Sequence, residues 1–341
     1  MQKFLVIQTA FIGDAVLATG LIEKLHEHFP EASIDFLVRK GNEGLFKKHP
    51  FLHEVLIWNK KKNKYLHLLQ LLFKLRSKQY DVVVNVQRFA ATGFLTAFCG
   101  AKLTVGFDKN PFSRFFSKKI THAVSEENEA LHEIERNHSL ISFFTDEVPA
   151  KPRLYPCDAD ETAVEILKNN AYICIAPASV WFTKQFPPHK WISFIHQLPA
   201  HLKVYLLGAP GDFGICQEID SQCSHLDVEN LAGKLSFLES AALMKDARMN
   251  YVNDSAPMHF ASAVNAPVAA VYCSTLLAFG FGPLSDKSFI VETREKLNCR
   301  PCGLHGKKAC PQQHFNCANT IQNQQLLELI NGVIESASLN R

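Results

Sequence analysis

Short apolar runs alternate with amphipathic segments along the chain. The run from Lys3 to Gln8 predicts a strand, and Asp14 to His28 has the 3.6-residue period of a helix. Further strands of the first half are predicted at Ser33 to Val38, Glu54 to Trp58 and Asp81 to Val86. Strands that alternate with helices indicate a mostly parallel sheet covered on both faces.

The pattern breaks in the polar, proline-containing stretch from Thr145 to Asp160 and then resumes. Strands of the second half are predicted at Tyr172 to Ala176, Lys203 to Leu207, Asn250 to Asn253 and Val268 to Tyr272. We therefore predict an α/β protein with two Rossmann-like domains, residues 1-156 and 157-341, with the last helix free to pack back on the first domain. The carboxyl ends of both sets of strands should face a central cleft, where open α/β sheets bind ligands.

Composition agrees with this domain count and excludes other classes. The 341 residues are 47% hydrophobic and 20% charged, which is typical of globular proteins and excludes disordered, collagen-like and coiled-coil chains. Residues 1–156 carry 22 Lys and Arg against 16 Asp and Glu, net +6, so the rest carries 14 against 17, net −3. The first half is thus expected to meet an anionic partner, although its charge is too small to indicate nucleic acid.

The sequence also predicts a compartment. The apolar start reaches only Ile12 before Asp14, which is not the pattern of a signal peptide. The ten cysteines are then more plausible as reduced thiols or metal ligands than as disulfides. We expect a cytoplasmic protein.

One candidate site is the turn from Thr9 to Thr19 after the first predicted strand. Gly13 would let a substrate approach the backbone, and Asp14 would hold a carboxylate there. From the local pattern alone, the favoured alternative is that Asp14 merely caps the helix.

Two more candidate turns follow strands of the second half. Ser179 and Lys184 stand in the loop after Ala176, where a hydroxyl and a lysine suit a diphosphate, although a solvated lysine is the alternative. Asp212, in Gly208-Ala-Pro-Gly-Asp212, could accept hydrogen bonds from ribose or cap a helix.

The segment from Asn253 to His259 places an acid, a hydroxyl and a helix start at a strand end. Backbone N–H groups at a helix start bind anions, which favours a phosphate site near Asp254 and Ser255. The alternative is that one of these two residues caps the helix and that His259 packs in the core.

Four segments together resemble glycosyltransferase family 9, the ADP-heptose:lipopolysaccharide heptosyltransferases. They are Phe11 to Asp14, Pro177 to Pro187, Leu231 to Ser236 and Asn253 to His259. The resemblance covers nearly the whole chain and implies a GT-B fold with the acceptor on the first domain and the nucleotide sugar on the second. It also implies inverting transfer that needs no metal or other cofactor.

The resemblance assigns roles residue by residue. It makes Asp14 the general base beside Gly13, gives Lys184 and Ser179 the donor phosphates, and gives Asp212 the ribose. The remaining donor-binding positions that it implies are Lys234, Ser236, Asp254, Ser255, Ala256 and His259. Ala256 stands where the family motif usually has glycine, Val180 where some members have a hydroxyl, and Leu235 where threonine is common.

The resemblance also implies partners: an ADP-sugar donor and a lipid-linked core oligosaccharide, met at the inner face of the inner membrane. The lysines at positions 60, 61, 62 and 64, followed by the amphipathic stretch Tyr65 to Lys78, suggest contact with anionic lipid or phosphorylated saccharide, against the alternative of a solvated face. A GT-B nucleotide-sugar epimerase and a non-catalytic saccharide-binding protein are the alternative functions.

Two patterns raise the question of metal. Asp158 and Asp160 match the Asp-x-Asp of metal-dependent transferases, but a turn or cap is the expected reading in this linker. Cysteines at positions 299, 302, 310 and 317 could close a structural zinc site, with reduced thiols or a redox-sensitive disulfide as the alternative.

Overall fold

The computed structural model describes residues 1–61, 63–122, 131–223 and 227–338, with side chains as far as residue 330. The chain divides into two compact units, Met1–Tyr155 and Pro156–Arg341. No helix in these described parts is both long and apolar enough to cross a bilayer.

The first unit contains a sheet of six parallel strands in the order β3-β2-β1-β4-β5-β6. Its strands are β1 Lys3–Ile7, β2 Ser33–Arg39, β3 Leu52–Trp58, β4 Val82–Asn85, β5 Leu103–Phe107 and β6 Lys118–Ile120. Its helices are α1 Ile12–Leu17, α2 Thr19–His28, α3 Lys64–Lys78, α4 Ala90–Phe98 and α5 Glu133–His138.

The second unit repeats this plan, with six parallel strands in the order β12-β11-β10-β7-β8-β9. Its strands are β7 Tyr172–Ala176, β8 Lys203–Leu206, β9 Val228–Asn230, β10 Asn250–Asn253, β11 Val268–Tyr272 and β12 Ser288–Glu292. Its helices are α6 Asp158–Val164, α7 Pro188–Ile195, α8 Phe213–Gln222, α9 Phe237–Asp246, α10 Ala256–Ala263, α11 Asn316–Asn319 and α12 Asn323–Ser338.

Each unit has its own apolar core, because the central strands are buried on both faces. Leu5 and Ile7 of β1 are fully buried in the first unit, as are Trp191 of α7 and Tyr251 of β10 in the second. Ile330 of α12 belongs to the core of the second unit. A parallel sheet covered in this way brings the carboxyl ends of its strands to one edge, where the loops are exposed.

The helix predicted from Asp14 to His28 is wrong as a single element, because the structure has two helices that meet at Ala18. The Thr19 hydroxyl donates to the carbonyl oxygen of Val16 at 2.7 Å and accepts the Arg153 N–H at 2.9 Å. A threonine hydroxyl that binds the preceding backbone competes with the helix ladder, which explains the break.

Candidate active site

Asp14 lies in the first turn of α1, just after the carboxyl end of β1. Its carboxylate accepts the backbone N–H of Phe11 at 3.1 Å, which is the capping role that the sequence left open. Asp14 and Gly13 both remain partly exposed. The carboxylate therefore caps the helix while it stays accessible to a ligand at this edge of the sheet.

A buried ion pair stands near Asp14, and the sequence patterns did not predict it. Glu133 accepts from the Arg136 guanidinium, with Nε and Nη2 at 2.9 and 2.8 Å from the same carboxylate oxygen. Burial raises the pKa of the Glu133 carboxyl, Arg136 opposes the rise, and the negative charge of Asp14 adds to it. The two carboxylates thus lie within electrostatic range of each other.

A cavity of about 580 Å³ opens at the carboxyl edge of the first sheet. Thr9 follows β1, Trp58 ends β3 and Gln87 follows β4, so the three strand ends share this cavity. Gln87 is fixed by the Thr9 hydroxyl, which donates to its Oε1 at 2.6 Å. The other lining residues are Lys60, Lys64, Tyr65, Leu68, Phe89, Ala90, Ala91, Thr92, Phe94 and Phe112.

Lys60 lines this cavity with a partly buried side chain, whereas the next residue, Lys61, is exposed. Its ammonium donates to the Thr9 carbonyl oxygen at 2.6 Å and lies 4.7 Å from the centre of the Trp58 ring. Burial, with the nearby charges of Arg39 and Lys64, lowers the pKa of Lys60 to about 8. Lys61 and Lys64 are exposed, and Lys62 lies outside the described residues.

In the second unit the loop after β7 and the loop after β10 meet through an ion pair. Lys184 Nζ lies 2.7 Å from Asp254 Oδ2, and both side chains are largely buried. The same oxygen accepts the Thr275 hydroxyl at 2.6 Å, from the loop after β11. Two residues that the sequence placed at separate turns are therefore brought together by the parallel sheet.

Buried Asn253 holds the Lys184 loop in place. Its amide nitrogen donates to the Pro177 carbonyl oxygen at 2.8 Å, and its oxygen accepts the Phe186 N–H at 2.9 Å. Gln185 then donates to the Ser179 carbonyl oxygen at 2.6 Å. Ser179 itself is half-buried at the end of β7.

The turns after β8 and β9 lie against each other at the same edge. Asp212 accepts the Ala209 N–H at 2.8 Å, and the Gly233 N–H donates to the Gly208 carbonyl oxygen at 2.9 Å. Gly233 has φ +77, and a Cβ there would lie 2.9 Å from Pro210, so only glycine suits this contact. Asp212 thus has the capping contact that the sequence left open.

Lys234 and Ser236 follow this turn and are exposed. Ser236 is the N-cap of α9: its hydroxyl accepts the Glu239 N–H at 3.2 Å, and its own N–H donates to the Glu239 carboxylate at 2.6 Å. This capping box accounts for a serine at position 236 without any ligand.

The start of α10 lies within the predicted segment from Asn253 to His259. Ser255 is the N-cap, Ala256 begins the helix, and both are half-buried, with Pro257 at the following position. His259 is buried in the first turn. The N–H groups at this end of α10 stand beside Asp254, whose carboxylate is engaged by Lys184.

Two sequence patterns raised the question of a metal site. The structure gives Asp160 a capping role, and it does not test the cysteine cluster. Asp160 accepts the Cys157 N–H at 2.8 Å at the start of α6, so it acts there as a cap. The Cys299 sulfur lies 3.9 Å from His314 Nε2, and burial, then the neighbouring thiols, raise the pKa of Cys317 to about 12. Zinc binding by Cys299, Cys302, Cys310 and Cys317 stays a prediction.

Within the described residues, three potential metal ligands approach to within 4.8 Å of one another only at Asp35, His53 and Glu54. Lys78 contacts both of these carboxylates, at 2.8 and 2.6 Å. The lysine supplies positive charge at this cluster, which we therefore regard as an ion-pair network.

Comparison with known proteins agrees with this arrangement. A family model described as glycosyltransferase family 9 (heptosyltransferase) matches residues 68–312. Lipopolysaccharide heptosyltransferase 3 of Escherichia coli is 28% identical over 283 residues, which cover 78% of this chain and 82% of that protein.

Two solved structures are similar over the full length. The ADP-heptose lipopolysaccharide heptosyltransferase II of E. coli has a TM-score of 0.79 at 20% identity, over 99% of this chain and 100% of that one. The E. coli heptosyltransferase WaaC, solved with ADP-2-deoxy-2-fluoro heptose, has a TM-score of 0.71 at 17% identity, over 97% and 99%.

Together the two parallel sheets and these likenesses define an α/β protein of the GT-B class, as the sequence predicted. The chain belongs to glycosyltransferase family 9, because the family model matches well over half of it.

Proposed function

We propose that this protein is an inverting transferase that moves a heptose, or a related sugar, from an ADP-sugar to a lipopolysaccharide core acceptor. The observation that carries the proposal is the Lys184 and Asp254 pair at 2.7 Å, placed beside the start of α10. A cation, a carboxylate and helix N–H groups at one sheet edge suit a sugar joined to a diphosphate.

On the donor side, Lys184 supplies charge for the diphosphate, and Ser179, Ser255 and the backbone at Ala256 supply hydrogen bonds. Because Asp254 already balances Lys184, the donor must share that lysine with a carboxylate. The Asp254 carboxylate can then accept hydrogen bonds from hydroxyl groups of the sugar. These bonds would orient the anomeric carbon of the sugar. Asp212 and Lys234 stand at the two adjacent turns, where the nucleoside would extend.

On the acceptor side, the cavity of the first unit offers Trp58 as an apolar wall and Lys60 and Lys64 as cations. This combination suits a phosphorylated or otherwise anionic saccharide. Its position in the more basic half of the chain agrees with the charge asymmetry of the sequence.

In the proposed step, Asp14 removes the proton of an acceptor hydroxyl as its oxygen attacks the anomeric carbon. The new carbon–oxygen bond forms while the bond to the diphosphate oxygen breaks, and ADP leaves with the bonding electrons. A single displacement from the face opposite the leaving group inverts the anomeric configuration. Lys184 and the α10 backbone stabilise the departing charge, so the proposal requires no metal.

The test is incubation of the purified protein with ADP-heptose and a core saccharide acceptor, followed by NMR of the product. We expect one new glycosidic bond with inverted anomeric configuration and release of ADP. A changed sugar from donor alone would identify an epimerase, and donor binding without turnover would identify a saccharide-binding protein. Turnover with retained configuration would contradict the single displacement.

A further inference from the structure

The helix α3 has two apolar faces, although a surface helix needs only one. Its inner face, Leu68, Leu71, Leu72 and Leu75, is buried against the core of the first unit. Its outer face, which we define as Tyr65, Leu66, Leu69 and Phe73, is 75%, 56%, 45% and 68% exposed, in that order. The fold therefore uses one apolar face of this helix and leaves the second in water.

The outer face is a continuous stripe. At about 100° per residue, Tyr65, Leu69, Phe73 and Leu66 fall within an arc of about 100° on the helix surface. Single exposed apolar residues are ordinary on protein surfaces, but four large ones on one helical face mark an interaction surface.

The charges on α3 indicate what this surface meets. The helix contains no acidic residue. Lys74 and Lys78 lie off the stripe and form ion pairs with Glu54. Arg76 falls within the arc of the outer face near its end. Lys64 precedes the stripe at the first position of the helix, with its Nζ 5.6 Å from the centre of the Tyr65 ring, so a cation stands at each end of the stripe.

Large apolar and aromatic residues bordered by Lys and Arg are the composition of a helix that lies in the headgroup region of a bilayer. A bilayer with anionic headgroups satisfies both parts of the surface, since acyl chains take the apolar side chains and phosphates take the cations. A protein partner would need an apolar groove lined with acids to do the same.

We propose that the outer face of α3 docks this protein on anionic membrane surfaces, with Leu69 and Phe73 entering the acyl boundary. Tyr65 begins this face, and together with the adjacent Lys64 it also lines the cavity of the first unit. A saccharide could therefore enter the cavity while its lipid stays in the bilayer. The role of this docking in acceptor delivery rests on the proposed function, whereas the docking itself is measured as lipid binding without donor or acceptor.

The test is co-sedimentation of the purified full chain with vesicles of phosphatidylethanolamine and phosphatidylglycerol, compared with vesicles of phosphatidylcholine alone. We expect binding to the anionic vesicles. The double variant Leu69→Ser, Phe73→Ser should partition at least about tenfold more weakly, because two large apolar side chains no longer enter the bilayer. The matched control is Ile166→Ser. Ile166 is 76% exposed in the second unit, so this variant should bind the vesicles as tightly as wild type does.

A second pair of substitutions, Lys64→Gln with Arg76→Gln, tests the charge while it keeps the stripe. Each lost cation should weaken binding by about fivefold at low salt, and the difference should shrink as salt is raised. Circular dichroism and melting temperature verify that each variant is folded, which we expect because all four side chains are exposed.

The proposal is overturned if wild type does not bind anionic vesicles, or if the double serine variant binds them as tightly as wild type. It is also overturned if the stripe instead joins two copies. That result would be a concentration-dependent dimer in sedimentation velocity that the double serine variant abolishes, with no lipid binding by wild type.

Discussion

At the residue scale, Asp14 has the capping role that the sequence left as one of two alternatives, and its role as general base stays a proposal. The carboxylate accepts the Phe11 N–H, yet it stays partly exposed where β1 ends. A capping residue and a general base are therefore compatible in one side chain.

We predict that Asp14→Asn abolishes sugar transfer but leaves donor affinity nearly unchanged. The asparagine oxygen can still accept the Phe11 N–H, so the change in unfolding free energy should be under about 1 kcal/mol. Loss of a general base typically costs about 10²–10⁴ in rate. Calorimetric titration with ADP and steady-state transfer rates measure the two effects, and activity within about tenfold of wild type would contradict the assignment.

Lys184 and Asp254 form the pair that should respond most strongly to substitution. In Lys184→Ala, Asp254 keeps the Thr275 hydroxyl but loses its cation, so we expect lower donor affinity, lower turnover and a lower melting temperature together.

Lys203→Ala is the matched control for this prediction. Lys203 is also paired, with Asp227 and Glu229 at 3.2 Å, but it begins β8 and lies at the amino edge of the same sheet. The Lys203 side chain is 22% exposed and its partners are more so, and solvent-screened pairs contribute little, about 1 kcal/mol or less. Equal loss of donor binding in both variants would show that the effect of Lys184 is general destabilisation.

Lys60 should give acceptor binding a pH dependence. Its pKa is lowered to about 8, so its charge is present below pH 8 and is lost as the pH rises through that value. We expect the KM for an anionic acceptor to rise above pH 8 in wild type. Lys60→Arg, which stays charged, should remove this rise from the KM profile. An unchanged profile in that variant would mean that another group is responsible.

At the element scale, the starts of helices account for several of the candidate ligand and metal residues that the sequence singled out. Ser236 caps α9, Asp160 caps α6 and Asp212 closes the turn before α8. Caps and ligand groups use the same oxygen atoms, so a short pattern of Ser and Asp cannot separate them. A substitution that preserves the cap can separate a capping role from a ligand-binding role.

We predict that Ser236→Ala lowers the free energy of unfolding by about 1 kcal/mol because α9 loses its N-cap. Ser236→Asp should retain most of that stability, since aspartate caps as well as serine does. If Ser236 is only a cap, KM for the donor stays at the wild-type value in both variants. If it binds the donor, both variants raise KM, the aspartate more strongly because it repels the diphosphate.

At the scale of the whole molecule, the proposed reaction takes Asp14 from the first unit and Lys184 from the second. Each unit buries its own core, and the two residues follow strands of separate sheets. In the proposed reaction, Lys184 and the N–H groups of α10 stabilise the negative charge on the departing ADP. The proposed metal independence depends on this stabilisation.

We predict that transfer persists after brief exposure to excess EDTA, because Lys184 and the α10 backbone take the role that a divalent ion has elsewhere. Metal analysis of the purified protein tests separately whether the cysteine tail holds zinc. Loss of activity that Mg²⁺ or Mn²⁺ restores, and Zn²⁺ does not, would contradict metal independence.

The sequence by itself determined the parallel α/β architecture and the family. Buried parallel strands are continuous apolar runs, and the turn segments around Asp14, Lys184 and Asp254 are local patterns, so both are visible without coordinates. The edge strands β6, β9 and β12 were missed, and so was the buried strand β5. The strand β6 has exposed lysines at positions 118 and 119, and therefore lacks the apolar run that marks a buried strand.

Only the tertiary structure decided which residues meet. Lys184 pairs with Asp254, 70 positions away, because β7 and β10 are neighbours in the sheet. Lys60 turns into a cavity formed by three strand ends, whereas Lys61 stays exposed. The structure was needed to identify the outer face of α3, since a periodic pattern does not show which of two apolar faces packs against the core. Contacts between distant segments depend on sheet order and packing, and neither is written in a local pattern of residues.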